Sequence, residues 1–135
     1  LGLEVETFSG GTEITAFNPR AVAALRRAGL EVHADDPQSE NPNYNIRHAA
    51  TGPTQVCFSK KYDDAPNPSQ EYCAIMTCSH ADAACPIVHG CELRIPIRYD
   101  DPKAADDTPK EEATYDERSK QICREMLYMM SRVTA

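Results

Sequence analysis

The chain has 135 residues, 41% of them hydrophobic, which suits one compact domain around a single core. A formal net charge of −7 and a pI near 5.0, without basic runs or interleaved basic and aromatic stripes, exclude a surface built for nucleic acid or anionic membrane. No apolar stretch approaches the roughly 20 residues of a membrane helix, and the opening LGLEVETFSGG has no basic region, apolar block or cleavage site, so a cytoplasmic protein is expected.

Residues 3–8, LEVETF, alternate apolar and polar and predict a strand, closed by the turn Ser9-Gly10-Gly11. Asn18 and Pro19 supply an N-cap and a first-turn proline for a helix over residues 19–28, with Val22, Leu25 and Arg26 at helical spacing and Gly29 as its stop. Residues 33–70 are rich in Asp, Asn and Pro. Short extended runs at 44–48 and 55–58 within them predict an excursion with a hairpin rather than a second domain. Residues 72–77, YCAIMT, form the continuous apolar run of a buried parallel strand. Residues 93–97 predict another strand, which Pro96 marks as an edge or a strand end.

The last element spans residues 110–133, where Tyr115, Ile122, Met126, Met129, Met130 and Val133 make a stripe at helical spacing behind Thr108 and Pro109. A Met-rich stripe of this kind reads as core, so the helix is expected to pack on the sheet with Cys123 as a buried thiol on or near that face. Strand, helix, strand, strand, helix implies an α/β layered fold, and no internal repeat competes with it.

Six cysteines in a chain of this size could indicate a secreted disulfide scaffold, but a plausible core and the absence of a signal segment favour reduced thiols. Zinc is the next option for Cys73, Cys78, Cys85 and Cys91 with His80 and His89. Only Cys73 and Cys78 approach the spacing of a zinc knuckle, so no metal site is expected.

The segments SGGTEITAFNPRAVAALRRAGLEV, FSKKYDD, MTCSHADAACP and RIPIRYDDPKAADDTPKEEATYDERSKQI together resemble the low-molecular-weight protein tyrosine phosphatase superfamily, on its thioredoxin-coupled arsenate reductase branch. The resemblance covers nearly the whole chain and is carried above all by Cys78 and Cys85 after an apolar strand, followed by Asp100-Asp101-Pro102. It implies a three-layer α/β sandwich with a short, mostly parallel sheet, phosphotyrosine phosphatase I-like, lacking the first strand and helix. The family's C-x5-R phosphate loop would lie upstream of Leu1, since no cysteine here has an arginine six positions on. The resemblance therefore implies an N-terminally truncated domain with bare sheet edges and self-association through them.

By the same resemblance, Asp101, the aspartate before proline, is the general acid. Cys78 and Cys85 are a redox pair serving thioredoxin or a similar reductant, and the substrate is a small oxyanion (arsenate or phosphate) or a phosphotyrosine. No cofactor is implied. In a helix starting at Ser79, Cys78 would precede the first turn and Cys85 would lie about 10 Å along the axis, so joining them requires local unwinding. A helix-end position would also favour the Cys78 thiolate. The plainer reading of the pair is two ordinary buried cysteines, and that of Asp100 and Asp101 a solvated turn. His80 could lower the thiolate pKa or only cap locally. Lys60 and Lys61 read as a solvated face, and Cys57, Cys73 and Cys91 have no assigned role. Beside the enzyme stands a second class: a non-catalytic relic or interaction domain without the nucleophile loop.

Overall fold

Asn18 opens the first helix, α1 (Pro19–Arg27), as the sequence predicts: its side-chain Oδ1 accepts from the Arg20 amide at 2.8 Å, and Pro19 occupies the first turn, where no amide is needed. Gly29, at φ 93°, ends it in the left-handed region that only glycine enters freely. The computed structural model describes residues 4–78 and 88–133, with the backbone alone at Cys78.

After α1 come β1 (Glu31–Ala34), β2 (Tyr44–Arg47) and β3 (Gln55–Cys57), which pair antiparallel in that order. The hairpin expected at 44–48 and 55–58 is present, with Tyr44 opposite Cys57 and Ile46 opposite Gln55. β1 was not expected; it adds to the other side of β2 with Val32 opposite Ile46. Those two residues and Val22 of α1 are the buried apolar cluster of this half, with Phe17, Leu25, Leu30 and Tyr44 packed around it. Phe17 meets Tyr44 edge to face, with ring centroids 5.6 Å apart.

β4 (Tyr72–Cys78) and β5 (Cys91–Tyr99) form a separate parallel pair. The expected parallel strand at 72–77 is therefore in place, but it is half-buried rather than buried, and β5 runs straight through Pro96. The chain is thus a mixed α/β protein whose described strands make two small sheets, one antiparallel and one parallel, instead of a single mostly parallel sheet. The strand expected at residues 3–8 is not formed over its described part: residues 4–8 are exposed and make no ladder. Alternation sets which face a strand would bury, but a strand exists only where a partner accepts its hydrogen bonds. The nearest pairing is a single parallel bridge between Gly11 and Lys61. A Cβ on Gly10 would sit 2.5 Å from the Tyr62 backbone, so glycine is required for that close approach.

A short 3-10 turn, Pro102–Ala105, leads to the last helix, α2 (Glu111–Ser131). The long helix is where the sequence places it, but its packing is different. Its buried residue is Tyr115, and its N-terminal part lies against α1 rather than on a sheet. Ile122, Met126, Met129 and Met130 are only half-buried, Leu127 and Tyr128 are exposed, and Cys123, expected as a buried thiol, is exposed as well. An open apolar groove of about 500 Å³ separates this end of α2 from Ile97 of β5.

Charge holds α1 to α2. Arg27 forks onto Asp116, with Nη2 at 2.7 Å and Nε at 2.9 Å from Oδ1, and Arg20 Nε lies 2.7 Å from Glu111 Oε2. The Arg27 contact holds the Asp116 carboxyl below its ordinary range. The Asp107 amide first, and then Arg20, do the same for Glu111. Groups with depressed folded pKa values stabilise the fold above the unfolded carboxylate value of about 4, and that stability is lost as pH falls through the folded values. Melting temperature should therefore drop on acidification below about pH 4, and the drop should be shallower in Arg27→Gln and at high salt. An identical acid profile in wild type and Arg27→Gln would remove Asp116 as a cause.

Candidate functional site

The two strands of the parallel pair end together. Cys78, the last residue of β4, is registered with Tyr99, the last residue of β5. Two residues beyond Tyr99 is Asp101. The exits of β4 and β5 are thus on one side of the sheet, the carboxyl side where parallel sheets collect their functional residues. Cys85, His80 and the helix expected from Ser79 lie outside the described residues.

Asp101 is exposed and begins the 3-10 turn as its N-cap. Its Oδ1 accepts from the Lys103 amide at 2.9 Å, and Pro102 fixes the first position of the turn. The plainer reading of Asp-Asp-Pro as a turn is therefore correct as a description of local structure, and it leaves the carboxyl group at the surface. Asp100 beside it is 92% exposed in its side chain, with Arg118 Nη2 of α2 at 3.7 Å. Arg118 also donates to Gln121 Oε1, and its Nε is buried without a hydrogen bond among the described residues.

Tyr99 is the buried residue nearest in sequence to this acid, at 6% exposure. Among the described residues its hydroxyl has no hydrogen bond of good geometry, and burial, followed by Glu125, pushes it above the usual tyrosine range. Glu125 is held low in turn, chiefly by Gln121, whose Nε2 donates to it at 2.9 Å. This corner of Tyr99, Arg118, Gln121 and Glu125 packs the exit of β5 against α2.

The far end of the Asp101 turn is pinned more firmly. Asp106 Oδ1 accepts from the Tyr115 hydroxyl at 2.9 Å, and that hydroxyl in turn accepts from Asn18 Nδ2 at 3.4 Å. Burial, then Asp106, raise the Tyr115 hydroxyl above its ordinary value. Arg20 lies 3.6 Å from Asp106 Oδ2 and 2.8 Å from Asp107 Oδ1. Asp107 takes the left-handed conformation at φ 60°, and its amide donates to Glu111 Oε2 at 2.7 Å. Residues 18, 20, 106, 107, 111 and 115 thus make one network that fixes where the acid-bearing segment leaves the helices. In the sequence Asn18 is legible only as a cap, and the network is not. The clue available was an arginine two residues after the cap and an Asp-Asp pair before a helix with two glutamates in its first turn.

Lys60 departs from expectation. In place of a solvated side chain, Lys60 is 8% exposed, with Nζ 4.8 Å from the centre of the Phe58 ring. Lys61 beside it is exposed, as read. Burial raises the Cys57 thiol above its ordinary value, opposed in part by Lys60, which makes Cys57 a poor nucleophile at neutral pH. Cys73 is exposed on β4, and Cys91 is half-buried with its Sγ 3.2 Å from the Val88 carbonyl oxygen.

What the arrangement offers chemically is an exposed carboxyl group two residues past the end of β5, where Tyr99 is registered with Cys78 of β4, on a frame tied to two helices. No protein-family model, no curated protein and no solved structure matches the chain.

Proposed function

We propose that this chain is an arsenate reductase-like or protein tyrosine phosphatase-like domain in which Cys78 and Cys85 form a thioredoxin-linked redox pair and Asp101 is the general acid. The observation that carries the reading is the register of Cys78 with Tyr99, which brings the end of the cysteine strand and the start of the Asp101 turn to the same edge of the parallel pair. In the reductase form, a nucleophilic cysteine of a phosphate loop binds arsenate through sulfur while Asp101 protonates the departing oxygen. Cys78 thiolate then attacks that sulfur, and arsenic leaves with the bonding electron pair as arsenite, reduced by two electrons. Cys85 displaces the first sulfur to give the Cys78–Cys85 disulfide, which a thioredoxin dithiol reduces.

Peptide mapping after mild oxidation tests the pair. The expected result is a dominant Cys78–Cys85 disulfide, with greater protease sensitivity between the two cysteines, both changes reversed by thioredoxin. A dominant disulfide between Cys73 and Cys91, or oxidation with no preferred pair, would return Cys78 and Cys85 to ordinary thiols. The second reading, a non-catalytic relic or interaction domain, is favoured by the lack of any C-x5-R loop within these 135 residues. Among the described residues no helix is long and apolar enough to cross a membrane.

A further inference from the structure

Asp101 is exposed, and the contact its carboxyl group makes is to the Lys103 amide of its own turn. Asp100 beside it reaches Arg118 at 3.7 Å from a side chain that is 92% exposed, a surface contact that constrains little. A carboxyl group that hands a proton to a departing oxygen needs a fixed place, because a displacement of about 1 Å can cost about a hundredfold in rate. The other end of the turn supplies the fixation, and it does so through one residue. Lys103, whose amide donates to Asp101 Oδ1, has its carbonyl oxygen bound by the Asp106 amide at 3.1 Å. The Asp106 side chain then carries the turn across to the helices: Oδ1 accepts from the Tyr115 hydroxyl at 2.9 Å, and Oδ2 lies 3.6 Å from Arg20 Nη1. Tyr115 is 5% exposed, and its hydroxyl accepts in turn from Asn18, the cap of α1, so this anchor is set by packing as well as by hydrogen bonds. Asp107 is of another kind, with a side chain 88% exposed that meets Arg20 Nη2 at the surface.

We propose that Asp106 is the positioning residue of the general acid, acting on Asp101 through the peptide groups of Lys103 and anchored by the Tyr115 hydroxyl. The proposal rests on the reading of Asp101 as the acid. Between the Asp101 carboxyl group and a buried side chain there are then three hydrogen bonds in series, to the Lys103 amide, from the Asp106 amide and from the Tyr115 hydroxyl. Asp106 makes the last two, one with its backbone and one with its side chain, so removing its carboxyl group cuts the turn from the helices while leaving the turn's own hydrogen bonds available.

Backbone amide relaxation of the isotope-labelled 135-residue chain tests this, read as order parameters at Asp101, Lys103 and Ala104 with buried Ile46 as the internal reference. The expected result is a rigid turn, with values of about 0.85, that falls below about 0.6 in Asp106→Ala and in Tyr115→Phe while Ile46 keeps its value. Tyr115→Phe keeps the ring, so it decides the matter if Asp106→Ala does not fold. Asp106→Asn retains an oxygen for the Tyr115 hydroxyl and should keep the turn ordered, a rescue that a general effect on stability would not give. Arg27→Gln, which loosens the helix pair at Asp116 instead, should leave the turn rigid. A turn already mobile in the wild type overturns the proposal. So does one that stays rigid in either folded variant, or that loosens as much in Asp106→Asn or Arg27→Gln as in Asp106→Ala. Relaxation reads the turn and oxidation mapping reads the cysteine pair, so failure of the one is told apart from failure of the other.

Discussion

Replacing Ile46 by alanine should lower the unfolding free energy by about 2–4 kcal/mol, read as a fall in the denaturant midpoint at unchanged slope. Ile46 lies on the central strand of the antiparallel sheet, is 7% exposed, and faces Val32 across the strand pair and Val22 on α1. Truncation removes three carbons from a cluster that, among the described residues, holds three buried apolar side chains, so little material is at hand to close the cavity. A natural domain has about 5–15 kcal/mol in total, so the loss is a large part of it. Val56 on the neighbouring strand is 55% exposed, and Val56→Ala is the control, expected to change stability by less than about 0.5 kcal/mol. Equal effects at the two positions would show that the antiparallel sheet is not the core of this half.

The 135-residue chain should hydrolyse no aryl phosphate and reduce no arsenate with thioredoxin, a complete loss relative to any enzyme of this type. The chemistry needs a thiolate held by a loop of backbone amides and an arginine, and none of the six cysteines has an arginine six positions later. Cys57 cannot substitute, because burial raises its thiol. A carboxyl group such as that of Asp101 can at most donate a proton and is not the thiolate the reaction needs. Turnover that disappears in Asp101→Ala would show that the acid serves a nucleophile within these residues, and the roles of the cysteines would have to be reassigned.

What the sequence by itself determined is what depends on a few neighbouring residues. Asn18 and Pro19 begin α1 and Gly29 ends it because the cap, the proline ring and the positive φ act within one turn of the chain. The hairpin of β2 and β3, the strand at β4 and the long last helix were legible for the same reason: alternation, an apolar run and a 3.6-residue stripe are local properties. Asp101 as a turn residue before proline was legible too, since its side chain reaches only to the Lys103 amide.

Tertiary structure decided everything that depends on which surface lies opposite. Residues 4–8 have the pattern of a strand but no partner in the described chain, so they form no ladder. Lys60 is buried, with its ammonium group over the ring of nearby Phe58, and how far it is covered depends on the segments packed around it. The Met stripe of α2 is genuine, yet the helix is fixed at its other end by Arg20, Arg27 and the Tyr115–Asp106 contact, which leaves the stripe half-covered and Cys123 exposed. The meeting of the β4 and β5 exits likewise follows from a parallel register between residues twenty-one apart, Cys78 and Tyr99. Local sequence signals reach about one turn or one strand pair. Burial, ion pairing and the convergence of a site depend on packing between distant segments, and that is settled only when the helices and sheets meet.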